Sequence, residues 1–122
     1  MAEMISLPTF SDARGSLTVL EKCLPFEIKR VYWMYDLNDQ TRGGHRHLKT
    51  VQAAVCLQGG CTFRIVKDQI ETKFHLTSPN QCLLLLPEDW HELTDFKSGA
   101  VVLMLASDYF DKADYVLTPI LN

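Results

Sequence analysis

Residues Val51 to Val66 read VQAAVCLQGGCTFRIV. The first half, Val51 to Leu57, is a short apolar run that stops near Gly59-Gly60, a turn signal. The second half, Cys61 to Val66, alternates Cys, Phe and Ile with Thr and Arg, the period of a half-buried strand. Downstream, Ile70 to Leu76 alternates again, and Cys82 to Leu86 and Ala100 to Ala106 are apolar runs short enough to be buried strands. Upstream, Ser16 to Glu21 and Ile28 to Tyr35 are rich in Val, Leu and aromatics. Ser78-Pro79-Asn80, Pro87-Glu88-Asp89 and Lys97-Ser98-Gly99 punctuate the series. Many short strands at near-regular spacing predict an all-β fold, a small antiparallel sandwich or barrel. The stretch Ser107 to Tyr115 is read either as a helix capped by Ser107 or as a turn.

With 122 residues the chain has material for one core, so residues 1–122 are read as one domain. A net charge of −3 speaks against a nucleic-acid partner, which needs a basic face. No two of the four cysteines are spaced C-x-x-C, and Cys56, Cys61 and Cys82 sit in apolar runs, so reduced thiols are expected. The opening MAEMISLPTF lacks the pattern of a secretory leader, and Cys82 to Pro87 is too short to span a bilayer. The expectation is a cytoplasmic protein without a membrane partner. Strands at both termini would pair readily with another chain, which predicts a homodimer with exchanged terminal strands.

The segment richest in chemistry is Arg42-Gly43-Gly44-His45-Arg46-His47. On an extended chain His45 and His47 point to one face and Arg46 to the other. Two imidazoles facing the mouth of a barrel can hold a metal, act as acid and base, or orient a polar ligand. Metal-binding cupins use His-x-His, then a carboxylate, then a later His. Here the carboxylate position is Gln52, a poor ligand, with His91 as the later His. We therefore expect no metal.

These residues, with Gln52 and the Gly59-Gly60 turn, resemble the R-G-x-H-A-H segment of the sugar 3,4-ketoisomerase cupins, the FdtA/QdtA-type or WxcM-like proteins. Asp12-Ala13-Arg14-Gly15-Ser16-Leu17 is similar to their D-x-R-G-x-L, and Ile28 to Tyr35 to their I-K-R-V-Y-x-x-Y strand. Pro87 to His91 resembles their Pro-to-Trp loop, and Leu105 to Asp111 with Asp114-Tyr115 their tail. Departures are Arg46 in place of Ala, Lys67-Asp68-Gln69 in place of an Asp-Gly turn, and Val116-Leu117 where an Arg often stands.

The resemblance implies a cupin jelly-roll barrel of the RmlC-like kind. It also implies an isomerase that moves a carbonyl from C4 to C3 of a dTDP-linked 4-keto-6-deoxy sugar, without a cofactor, in the making of 3-amino sugars for surface polysaccharides. His45 and His47 would be the acid/base pair, His47 the favoured base, and Tyr35 a proton relay. Arg42 would stabilise the enediolate oxygen. Arg14 and Arg30 would hold the diphosphate, Gln52 a sugar hydroxyl, and Trp90 would pack on the sugar or the base ring. A sugar epimerase of the same superfamily, a sugar-binding cupin without turnover and a metal-binding cupin are the alternatives.

Overall fold

The computed structural model describes residues 1–97 and 99–120. Twelve strands follow one another. They are β1 (Glu3–Ser6), β2 (Thr9–Asp12), β3 (Gly15–Thr18), β4 (Arg30–Met34), β5 (Arg42–His47) and β6 (Gln52–Gln58). Then come β7 (Cys61–Lys67), β8 (Ile70–Leu76), β9 (Gln81–Leu85), β10 (Trp90–Thr94), β11 (Val101–Ala106) and β12 (Tyr115–Val116). One sheet has the order β1-β9-β6-β11-β4 and a second β12-β5-β10-β7-β8, while β2 and β3 pair only with each other. The pairs within them are antiparallel. This is the all-β sandwich that the strand spacing predicts.

Burial explains which runs alternate and which do not. On β7, Cys61, Phe63 and Ile65 enter the core between the sheets, joined by Leu83, Leu85, Val102 and Met104. Each such side chain removed from water contributes roughly 1.5–3 kcal/mol. β6 is apolar from Ala53 to Cys56 because both its faces are covered there. Ala54 and Cys56 face that central core, and Ala53 and Val55 pack into a second cluster with Leu7, Cys82 and Leu105.

The two-residue turn between β7 and β8 places Asp68 and Gln69 at φ +51° and +65°. This is backbone that Gly or Asn would favour. The helix reading of Ser107 to Tyr115 reduces to one 3₁₀ turn, Lys112–Asp114, capped by the Asp111 carboxylate on the Ala113 amide. Ser107 instead accepts from the Val51 amide at 2.9 Å. In the expected turn at Lys97-Ser98-Gly99, Ser98 lies outside the described residues. All four cysteines are free thiols. No helix among the described residues is long and apolar enough to cross a membrane.

Candidate active site

β5 carries the two imidazoles on its inner face, as alternation requires. Its partner β10 sets His91 directly opposite His45. The strands approach closely at a bulge, and Gly43 (φ +82°) makes the approach possible, because a Cβ there would lie 3.0 Å from the His91 carbonyl. The ring centres of His45 and His47 are 5.1 Å apart, and those of His45 and His91 4.9 Å. Tyr115, on β12, packs its ring 4.6 Å from both His45 and His47.

Each imidazole is held differently. His47 is buried, and its Nδ1 lies 2.8 Å from the Asp114 carboxylate. A carboxylate only accepts, so Nδ1 carries a proton, and in the neutral imidazole the lone pair is on Nε2. That Nε2 is buried and has no hydrogen-bond partner. His91 donates from Nδ1 to the Asp89 carbonyl at 3.1 Å, and burial pushes its pKa down to about 3, so it is neutral. Burial and the nearby His47 also lower His45, opposed by a hydrogen bond to the Gly43 carbonyl.

Asp114 is the hub of this arrangement. It accepts from His47 Nδ1, from the Thr50 hydroxyl, and from the Leu48 and Lys49 amides at 3.1 and 2.8 Å. Burial works against its charge. The Thr50 hydroxyl, the Lys49 amide and His47 outweigh that cost and hold its carboxyl below the usual range.

The adjoining wall comes from β4 and β6. Gln52 is fully buried and donates from Nε2 to the Tyr32 phenol at 2.8 Å, while its Oε1 has no partner. The phenol oxygen is thereby satisfied as an acceptor and its own hydrogen remains free to donate. Burial, with Tyr115 nearby, raises Tyr32 above its ordinary pKa, against the pull of Arg30 and Arg42. Arg30 stacks its guanidinium 4.3 Å over the Tyr32 ring and 5.3 Å from Phe110.

The residues expected from sequence thus divide. His45 and His47 are on β5, Gln52 is on the adjoining wall, and Arg30 and Arg42 lie near Tyr32. Tyr35 does not join them. It has the outward parity of Val31 and Trp33, is 62% exposed, and shares with Arg42 a cleft of about 440 Å³. The phenol packed on the imidazoles is Tyr115, and Tyr32 lies near it. Trp90 also turns outward, opposite in parity to His91. It lies 5.1 Å from the Arg64 guanidinium and donates its indole N–H to the Leu117 carbonyl at 2.9 Å. Arg14 is at the tip of the β2–β3 hairpin, ion-paired with Asp12 at 2.6 Å and away from the imidazoles of its own chain. Among the described residues, no group of three or more His, Cys, Asp or Glu is placed to hold a metal ion.

Sequence reasoning missed Asp114, Thr50, Tyr32 and Tyr115 as parts of the site. It weighed His91 only as a metal ligand. The signal for His91 was present: Trp90–Thr94 alternates like a strand, with His91 and Leu93 inward.

A two-sheet all-β sandwich that gathers three imidazoles, a buried carboxylate and a phenol defines a cupin-type protein. The family described as FdtA: WxcM-like, C-terminal, matches residues 1–119. The chain is 41% identical over 117 residues to the TDP-4-oxo-6-deoxy-alpha-D-glucose-3,4-oxoisomerase of Aneurinibacillus thermoaerophilus, covering 93% of this chain and 84% of that one. It superposes with a TM-score of 0.92 on a histidine-to-asparagine variant of the QdtA 3,4-ketoisomerase of Thermoanaerobacterium thermosaccharolyticum, in complex with TDP-4-keto-6-deoxyglucose. Identity there is 36%, covering 96% of this chain and 87% of that one. The TDP-quinovose 3,4-ketoisomerase WlaRB of Campylobacter jejuni matches with a TM-score of 0.90 and 35% identity, covering 96% and 92%. The chain belongs to the FdtA family of WxcM-like proteins.

Proposed function

We propose that this protein is a TDP-sugar 3,4-ketoisomerase that converts a TDP-linked 4-keto-6-deoxy hexose to the 3-keto isomer. The observation that carries the reading is the His47–Asp114 pair, with its Nε2 lone pair buried beside a second imidazole. Family membership and the relatives' activities support it. The C3 proton of the substrate is α to the C4 ketone. His47 Nε2 removes it, and the electron pair moves onto O4 to give an enediolate. Return of that proton at C4, with transfer of the O3 proton to O4, leaves a ketone at C3 and a hydroxyl at C4. No electrons leave the sugar, so the reaction balances without an external oxidant or reductant.

His45, 5.1 Å from His47, is the second proton carrier. Tyr32, whose hydrogen is free to donate, is better placed than Tyr35 to hold the developing oxyanion. Arg30 and Arg42 supply positive charge near Tyr32 and suit the diphosphate and the enediolate oxygen. Gln52 Oε1 is free to accept from a sugar hydroxyl. Supply of 3-keto sugars for amination into surface polysaccharides fits this product.

The protein works as a homodimer in this reading. The β2–β3 hairpin pairs with no other strand of its own chain and exposes Phe10 and Leu17, while β4 is a sheet edge. Arg14 would reach a diphosphate only from the hairpin of a second copy.

The test is turnover of TDP-4-keto-6-deoxyglucose in deuterated water, followed by NMR. Formation of the 3-keto product with deuterium entering the ring is expected. Binding without either change would reduce the protein to a sugar-nucleotide binder.

A further inference from the structure

The C-terminal strap that carries Asp114 and Tyr115 to the imidazoles is gripped from outside the barrel by two side chains. Trp90 precedes His91 on β10, and Arg46 stands between His45 and His47 on β5. Alternation turns both away from the imidazoles and onto the outer face of the sheet. The Trp90 indole N–H donates to the Leu117 carbonyl at 2.9 Å. Arg46 Nε donates to the Thr118 carbonyl at 3.1 Å. Both acceptors follow directly on β12.

That strand has little hold of its own. It is two residues long, sits at the edge of its sheet, and pairs only Tyr115 with His47 and Val116 with Arg46. So short a ladder is weak alone. Yet the catalytic geometry depends on it, because Asp114 fixes the His47 proton and Tyr115 packs on both imidazoles.

We infer that Trp90 and Arg46 are positioning residues for the reaction, clamping the main chain of the strap so that Asp114 and Tyr115 stay on the imidazoles. Neither side chain touches the site. Trp90 is set in place partly by the Arg64 guanidinium on its ring. The kinetic part of the inference rests on the proposed isomerase activity; the clamp itself does not.

Hydrogen exchange reads the clamp without substrate. The Leu48 and Lys49 amides donate to Asp114 and lose those bonds when the strap lifts. Their exchange therefore reports its opening. Trp90→Phe keeps the ring and removes the N–H. Arg46→Ala removes the other donor, and Arg46→Lys restores a donor and part of the protection. Each loss should speed exchange at Leu48 and Lys49 by roughly three- to tenfold, the range for one modest hydrogen bond. The amide of Phe63, in the core strand β7, should not change.

Ending the chain at Val116 deletes both acceptor carbonyls. It should speed the same two amides at least as much, and in that shorter chain Trp90→Phe and Arg46→Ala should add nothing further. Unchanged exchange at Leu48 and Lys49 in both variants would overturn the clamp. Equal acceleration by the variants in full and shortened chains would do the same, because the side chains would then act by another route. With TDP-4-keto-6-deoxyglucose, kcat should fall along with protection. Faster exchange at an unchanged kcat would overturn the catalytic role. Absence of turnover in the unaltered protein would sink the isomerase reading and leave the exchange result standing.

Discussion

His47 and Asp114 lie 67 residues apart in the chain and meet inside the protein at 2.8 Å. The carboxylate accepts a hydrogen bond from the Nδ1–H of His47 and so leaves Nε2 as the nitrogen free to act as base. Asp114→Asn breaks this logic with little change in size. An amide has one oxygen, and Asp114 serves four donors. If the amide oxygen stays on the Leu48 and Lys49 N–H groups, its NH₂ faces His47 and favours the tautomer protonated at Nε2. Turnover by Asp114→Asn should fall by roughly 10²–10⁴, the range for a mis-set base. His47→Asn should fall at least as far. Urea unfolding should show both variants folded, with Asp114→Asn weakened by roughly 1–3 kcal/mol for its unsatisfied groups. Near-normal kcat in Asp114→Asn would remove the carboxylate from the mechanism.

Tyr32, on β4, and Tyr35, just beyond its end, separate by parity. Tyr32 faces Gln52 and lies near Tyr115, and Tyr35 faces out. Tyr35→Phe should leave kcat within about twofold, as for an exposed side chain outside the site. Tyr32→Phe removes a buried hydroxyl and leaves Gln52 Nε2 unsatisfied, so kcat should fall about tenfold or more. Steady-state kinetics on the two variants decide between them. A reversed order would restore Tyr35 as the relay.

Sequence made the core legible where one face of a strand is wet. Cys61, Phe63 and Ile65 on β7 alternate with Thr62 and Arg64, and two His spaced by two put both imidazoles on one face of β5. Legibility failed where local patterns carry no direction. Tyr32 and Tyr35 stand three apart in one extended run, so only one can face in, and the apolar residues around them do not say which. Trp90 looked like a ring for stacking because its strand was read as loop. Asp114 could not be told from Asp108 and Asp111 beside it, since an acid in this tail becomes a site residue only when tertiary contact buries it beside His47 and Thr50.

The exposed apolar residues of the hairpin and of β4 bear on assembly. Phe10 is 65% exposed, Leu17 59% and Trp33 59%, too much apolar surface around an open sheet edge to leave wet. Sedimentation should give twice the 13.9 kDa chain mass. Trp33→Arg together with Leu17→Arg should return the single-chain mass. A monomeric unaltered protein at micromolar concentration would remove the dimer from the proposal.

Acid should weaken the fold through His91. Its folded pKa of about 3 lies below the ordinary value of 6.5, because burial disfavours the imidazolium. In the unfolded chain the ring takes a proton as pH falls through about 6.5, and in the folded chain it does not. The unfolded state therefore binds more protons between these values, and stability drops as pH falls. The contribution of neutral His91 is fully present above about pH 6.5 and is lost progressively down to about 3. Between pH 7 and pH 5 the loss is about 2 kcal/mol. His45, also lowered, adds in the same direction, while Asp114 stays ionised across this window and adds nothing to the slope. Urea unfolding at the two pH values measures the difference. His91→Gln removes the titrating ring and should lose correspondingly less stability on acidification, although it starts from a weaker fold. An identical pH slope in the two proteins would mean that His91 takes up its proton in the folded state, and hence that the imidazole cluster is wetter than its burial implies.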